Sequence, residues 1–103
     1  MRRGDIWWAE APDVGRRPFL VMTRDVAIPV LGSVVAAPLT RTVRDIPTEL
    51  KLGHDDGLPQ ECAASFDNLR VIPKANLVER ITQLGPLRQR EARAAARRAL
   101  DCE

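Results

Sequence analysis

The sequence predicts a mainly β fold of the α+β class, a strongly bent antiparallel sheet or small barrel with one α-helix covering an end. Short runs rich in apolar and β-branched residues recur as far as Leu84, separated by Gly, Pro, Asp and Asn. After Gly85-Pro86 the composition changes to Ala, Leu, Gln, Glu and Arg, residues that lose little on entering a helix. With 103 residues and 45% hydrophobic content, the chain can build one core but not two, so strands and helix must share it. One domain over residues 1–103 is therefore expected, without repeat or low-complexity linker.

In chain order, Asp5 to Glu10 reads as a strand, Ala11 to Arg17 as a Pro- and Gly-containing loop, and Pro18 to Thr23 as a second, apolar strand. Gly32 to Thr40 follows as a third, in which Val34, Val35 and Leu39 suit a buried sheet. From Ile46 to Leu52, Ile46, Thr48, Leu50 and Leu52 alternate with Pro47, Glu49 and Lys51, the period of a half-buried strand, and Pro47 places it near an edge. Gly53 to Pro59 is turn-rich. Two short strands, Glu61 to Phe66 and Leu69 to Ile72, flank an Asp67-Asn68 turn, and Val78 to Leu84 is the last. Pro86 fits the first helical position, where no N–H is needed, and Leu87 to Leu100 continues the helix. Leu87, Ala95, Ala99 and Leu100 would face the sheet, with Arg90, Arg93 and Arg97 outward.

The net charge is only +2, yet Arg88 to Arg98 holds five arginines against Glu91. Such a face serves solubility or attracts phosphates, and charge alone does not choose between these. Cys62 and Cys102 have no histidine at metal-ligand spacing, so they read as plain thiols, one buried and one near a frayed end, rather than as a disulfide framework or zinc site. The basic N-terminus never develops the apolar run of a signal peptide, and no stretch approaches the ~20 apolar residues of a membrane span, so a cytoplasmic protein is expected. His54, the sole histidine, lies in the turn-rich loop and reads as an exposed residue without a catalytic role.

Arg3-Gly4-Asp5-Ile6-Trp7, Arg17-Pro18-Phe19-Leu20-Val21, Ala37-Pro38-Leu39-Thr40, Ile46-Pro47-Thr48-Glu49 and Asp67-Asn68-Leu69-Arg70-Val71-Ile72 occur in that order. Each is weak alone, but together they make the chain resemble the MazF/PemK toxin endoribonucleases from about Arg3 to Leu100. The resemblance implies an SH3-like barrel, a two-fold homodimer with single-stranded RNA along the subunit interface, no cofactor or metal, and a cognate antitoxin whose acidic tail covers the RNA site. It places the catalytic pair at Arg17 and Thr40 and makes Asp5 and Trp7 structural. The loop after the first strand is short here, Ala11 to Arg16.

The chemistry agrees with that assignment on its own terms. When a 2'-hydroxyl attacks the adjacent phosphorus, charge builds on phosphoryl oxygens, and a planar guanidinium donates two parallel hydrogen bonds to them. Thr40 supplies a hydroxyl for positioning. Arg16, Arg41 and Arg44 would line the phosphate path, Asn68 and Arg70 are further RNA-binding candidates, and Trp8 is the available stacking platform, since Phe19 and Phe66 read as core. Two alternatives remain: a non-enzymatic CcdB-like toxin that clamps gyrase, although the Leu100-Asp101-Cys102-Glu103 ending lacks that group's Trp-Gly-Ile, and an inactive decoy that binds antitoxin or RNA.

Overall fold

The computed structural model of the protein describes residues 1–13 and 15–101. Among them, seven strands, β1 (Asp5–Ala11), β2 (Gly15–Val21), β3 (Ser33–Thr40), β4 (Glu49–Leu52), β5 (Cys62–Ser65), β6 (Arg70–Pro73) and β7 (Leu77–Gln83), precede one helix, α1 (Pro86–Leu100). All pairings are antiparallel in the order β4-β5-β3-β2-β1-β7, with β6 on β3. The path ends on β4 and β7 without joining them, so of the two expected forms the open, bent sheet is the observed one. Cys102, expected near a frayed end, lies outside the described residues.

Hydrophobic residues fall into two clusters because β2 and β3 are buried on both faces. Leu20 joins Ile6, Leu39, Leu50, Phe66 and the helix residues Ala92 and Ala95. Its neighbours Phe19 and Val21 point the other way, to Val34, Ile72 and Leu77. Phe19-Leu20-Val21 therefore reads as a continuous apolar run rather than an alternation. Val35 departs from expectation: it is exposed, beside exposed Val71 on β6, because its neighbours Val34 and Ala36 take the buried face.

The first hairpin is tighter than predicted. Ala11 pairs with Gly15, whose positive φ of 66° closes the turn at no Cβ cost, so Arg16 and Arg17 are strand residues and not loop residues. In β4 the predicted start at Ile46 retreats to Glu49; Pro47 has no N–H for a ladder, and Ile46 is exposed. Helix α1 begins with Pro86 in its first turn, as expected. Its buried face differs: Ala92 and Ala95 are buried and Ala99 packs beside them, whereas Leu87 and Leu100 are 63% and 61% exposed. Small side chains let the helix backbone lie close to the sheet, and the two leucines sit on the helix ends, beyond its reach. Arg93 is half-buried, not fully outward. Arg88 is no solvated charge either: it donates to Asp56 at 2.9 Å, to Glu91 at 3.1 Å and to the carbonyl of Lys51, fastening α1 to the β4 corner.

Candidate functional site

The strand register brings Arg17 and Thr40 together across 23 positions of sequence. Strands β2 and β3 pair Phe19 with Pro38, Leu20 with Ala37 and Val21 with Ala36, and the ladder then stops. Two residues further in the same register, Arg17 stands opposite Thr40. The strands part there because β3 changes company: Leu39 and Thr40 pair with Ala64 and Ala63 of β5. Pro38 marks the junction. Since Met22 N–H bonds to Val35 O, odd-numbered β3 residues direct their polar groups toward β2, and Pro38's missing donor faces the opposite edge. That edge is interrupted at the same level by the 3-10 turn Phe66–Asn68, which divides β5 from β6, so no ladder bond is forfeited.

The splayed ends form two adjoining clefts. One, of about 590 Å³, is lined by Trp8, Arg16, Arg17, Thr40 and Arg41 together with Gln60. The other, of about 320 Å³, is lined by Arg17, Thr40, Arg44, Asn68, Arg70 and Ser65. All eight residues expected at the site thus lie on one or other cleft, and Arg17 and Thr40 belong to both. Gln60 and Ser65 were not legible as site residues. Gln60 follows Pro59 in a loop whose path depends on burying Leu58, and Ser65 gains its role only by accepting Asn68 Nδ2–H at 2.8 Å.

Charge in these clefts is unevenly compensated. Arg16 donates to Glu10 and, at 3.0 Å, to Glu79, with its guanidinium 4.8 Å from the centre of the Trp8 ring. The face of Trp8 is therefore already stacked by a cation. Arg44 pairs with Glu49 at 3.4 Å through both its side chain and, at 3.0 Å, its backbone N–H. Arg70 pairs with Asp13. Among the described residues, Arg17 and Arg41 alone of the five arginines lining the clefts make no ion pair; Arg17 lies on both clefts and Arg41 on the larger one, each with Thr40. Thr40 Oγ1 accepts the Thr42 N–H at 3.1 Å, which orients it and leaves its own proton for donation.

The Arg70 side chain, by donating to Asp13, holds that carboxyl below its ordinary value. A depressed folded-state pKa means the pairing persists above the ordinary carboxylate range and is lost only as pH falls through the lowered value. NMR titration of the Asp13 carboxylate should show its midpoint below that of a model Asp. A midpoint at or above it would contradict the pairing.

The residues read as structural behave so. Asp5 is buried and accepts from Arg2 N–H at 2.9 Å, Trp7 Nε1–H at 3.2 Å and Arg80 at 3.4 Å. Asp67 accepts the Thr48 hydroxyl and so holds its turn. Cys62 is a buried thiol, pushed up by that burial and by Asp56. It separates the larger cleft from a third, of about 520 Å³, where exposed His54 lies with Asp55, Asp56 and Glu61. His54 does not line the Arg17–Thr40 clefts.

An open, bent antiparallel sheet whose splayed strands set an arginine, without an ion pair among the described residues, beside a hydroxyl defines a small β protein with a basic cleft. The family model for the PemK-like, MazF-like toxin of type II toxin–antitoxin systems matches residues 2–100, and the chain belongs to that family. It is 41% identical over 103 residues to the probable endoribonuclease MazF2 of Mycobacterium tuberculosis, covering 99% of this chain and 100% of that one. Among solved structures, the M. tuberculosis toxin MazF-mt6 superposes with a TM-score of 0.87 at 33% identity, covering 96% of this chain and 98% of that one. A mycobacterial endoribonuclease in complex with its cognate antitoxin superposes with a TM-score of 0.88 at 25% identity, covering 100% and 97%. No helix among the described residues is long and apolar enough to cross a membrane.

Proposed function

We propose that this toxin is a sequence-specific endoribonuclease that cuts single-stranded RNA at the Arg17–Thr40 wall without a metal ion, and thereby stops translation and growth. The observation that carries the reading is the meeting of an arginine that makes no ion pair among the described residues and an oriented threonine hydroxyl at the parted end of β2 and β3. The substrate's 2'-oxygen bonds to phosphorus and the bond to the 5'-oxygen breaks. The 2'-hydroxyl proton leaves and the departing 5'-oxygen gains one, giving a 2',3'-cyclic phosphate and a 5'-hydroxyl. Arg17 stabilises charge on the phosphoryl oxygens, and Thr40 donates to one of them. Arg41 and Arg44 track the backbone, and Asn68 and Arg70 meet bases or phosphates in the smaller cleft. Trp8 and Arg16 form one stacked platform for a base.

The chain acts in the cytoplasm as a single-domain homodimer, which enlarges clefts that are shallow in one subunit. Its cognate antitoxin blocks the same arginines, a reading supported by the mycobacterial relative solved with its antitoxin. The gyrase-clamping alternative has no use for Arg17 or Thr40, and the decoy alternative requires only that cleavage be absent.

The test is incubation of purified protein with a long unstructured RNA in excess chelator, mapping every new 5' end. Discrete 5'-hydroxyl ends are expected. Thr40→Val, which keeps the shape and removes the hydroxyl, should cut about 10- to 100-fold more slowly, since a hydrogen bond to a charged group contributes ~1.5–3 kcal/mol. Thr40→Ser should retain most activity. Intact RNA from folded, dimeric protein would refute the nuclease reading and leave the gyrase and decoy alternatives.

A further inference from the structure

Away from the clefts, Arg3, two residues before β1, lies against α1 at Gln89 and Ala92, on the side of the helix that also carries Arg93 and Arg97. Arg93 and Arg97 are one helical turn apart and share a face. Among the described residues, none of the three makes an ion pair, and Arg3 Nε is the one buried side-chain polar atom without a hydrogen-bond partner. Gly4 packs tightly on the helix, since a Cβ there would come within 2.5 Å of Gln89, and Gly4 O accepts Leu84 N–H at 2.9 Å. The backbone at Arg3 and Gly4 is therefore held against α1 by the fold. Asp25 is the carboxylate facing it, and it is occupied by the Arg3 backbone N–H at 2.7 Å. Burial, joined by the charges of Arg93 and Arg97 and opposed by Asp25, holds the Arg3 guanidinium below its ordinary value.

We propose that Arg3, Arg93 and Arg97 form a second binding surface for the phosphate backbone of RNA, separate from the cutting clefts, which engages long substrates. None of the three lines either cleft. An anion here offsets the mutual repulsion of the three charges, and guanidinium forks match phosphate oxygens in pairs. RNA fits better than an acidic protein segment. A peptide that folds on binding needs apolar sockets, and the cleft beside Arg3 has about 10 Å³, space for about one water and no side chain. Backbone phosphates need only donors at the surface. The proposal rests on RNA being the substrate, and its test is a binding measurement that does not require cleavage.

Arg17→Ala protein, in which cutting is slow enough for binding to be read first, is titrated with a long unstructured RNA at several salt concentrations, with and without Arg93→Gln and Arg97→Gln. Losing two phosphate contacts on a single strand should make the slope of log K against log salt shallower by about 1.4, with the curves converging at high salt. Arg93→Lys with Arg97→Lys keeps the charges and should keep most of the slope, which separates this effect from loss of helix packing. In the chain with Arg17 intact, Arg93→Gln with Arg97→Gln should slow cleavage of long RNA but not of a short oligonucleotide spanning one mapped site. An unchanged salt slope would overturn the proposal, as would loss of affinity for polyglutamate with RNA binding unaltered. Absence of cleavage by the unsubstituted protein would instead strike the nuclease reading and leave the binding result standing.

Discussion

Arg17→Ala is expected to lower the rate of RNA cleavage by a factor of about 100 to 1000, the usual cost of removing one donor aimed at developing charge. The fold should not notice. Arg17 is exposed and makes no ion pair among the described residues, and substitutions at such surface positions usually change stability by less than ~0.5 kcal/mol. Its neighbour differs in kind: Arg16 spends its guanidinium on Glu10, Glu79 and the Trp8 ring, so its removal disturbs the sheet edge as well as the cleft. Arg17→Lys restores the charge without the planar fork and should recover only part of the lost rate. Single-turnover cleavage of one mapped site, beside thermal melts of each variant, provides the check. Cleavage by folded Arg17→Ala within a few-fold of the parent would remove Arg17 from the chemistry and shift attention to Arg41, the other arginine of the cleft that makes no ion pair among the described residues.

The residues of the candidate site are more fully legible in the sequence than the fold's details are. Arg17 and Thr40 are legible because each sits in a short motif of a recurring family order, and the β2–β3 register then places them face to face. What the motifs do not carry is compensation. Nothing local to Arg70 announces Asp13, 57 positions away, nor does anything near Arg16 announce Glu79. The Arg16 pairing exists only once β1, β2 and β7 lie side by side, and the Arg70 pairing only once β6, lying on β3, comes up to the β1–β2 hairpin; together they decide which of these arginines remain without an ion pair among the described residues. Strand existence was likewise readable, whereas faces were not always so. Val34 and Val35 are equally apolar, and alternation alone does not say which points inward until β6 pairs with β3. The helix misled through its leucines: Leu87 and Leu100 carry the larger hydrophobic side chains, but close packing on the sheet selected Ala92 and Ala95.

Phe66→Ala is expected to destabilise the protein by about 3–5 kcal/mol, a large share of the ~5–15 kcal/mol that separates a domain of this kind from its unfolded state. Phe66 is 1% exposed and belongs to the cluster in which α1, β3 and β4 meet through Ala92, Ala95, Leu39 and Leu50. It also opens the 3-10 turn that divides β5 from β6, with its N–H bonded to Thr48 O at 3.1 Å. Losing the ring leaves a cavity that small alanines on the facing helix cannot fill, so little of the cost can be recovered by relaxation. At about 4–8 °C per kcal/mol for a chain of this size, the melting temperature should fall by at least ~12 °C. Val35→Ala, on a strand of similar apolar character but at a 39% exposed position, should change stability by less than ~0.5 kcal/mol. The contrast separates burial from hydrophobicity as the source of stability. It bears on function because the turn opened by Phe66 carries Asn68 into the smaller cleft, so cleavage by Phe66→Ala should weaken even below its melting point. A Phe66→Ala protein melting within a few degrees of the parent would mean that the turn is held by its hydrogen bonds, the Thr48 carbonyl and hydroxyl among them, and not by the ring beneath it.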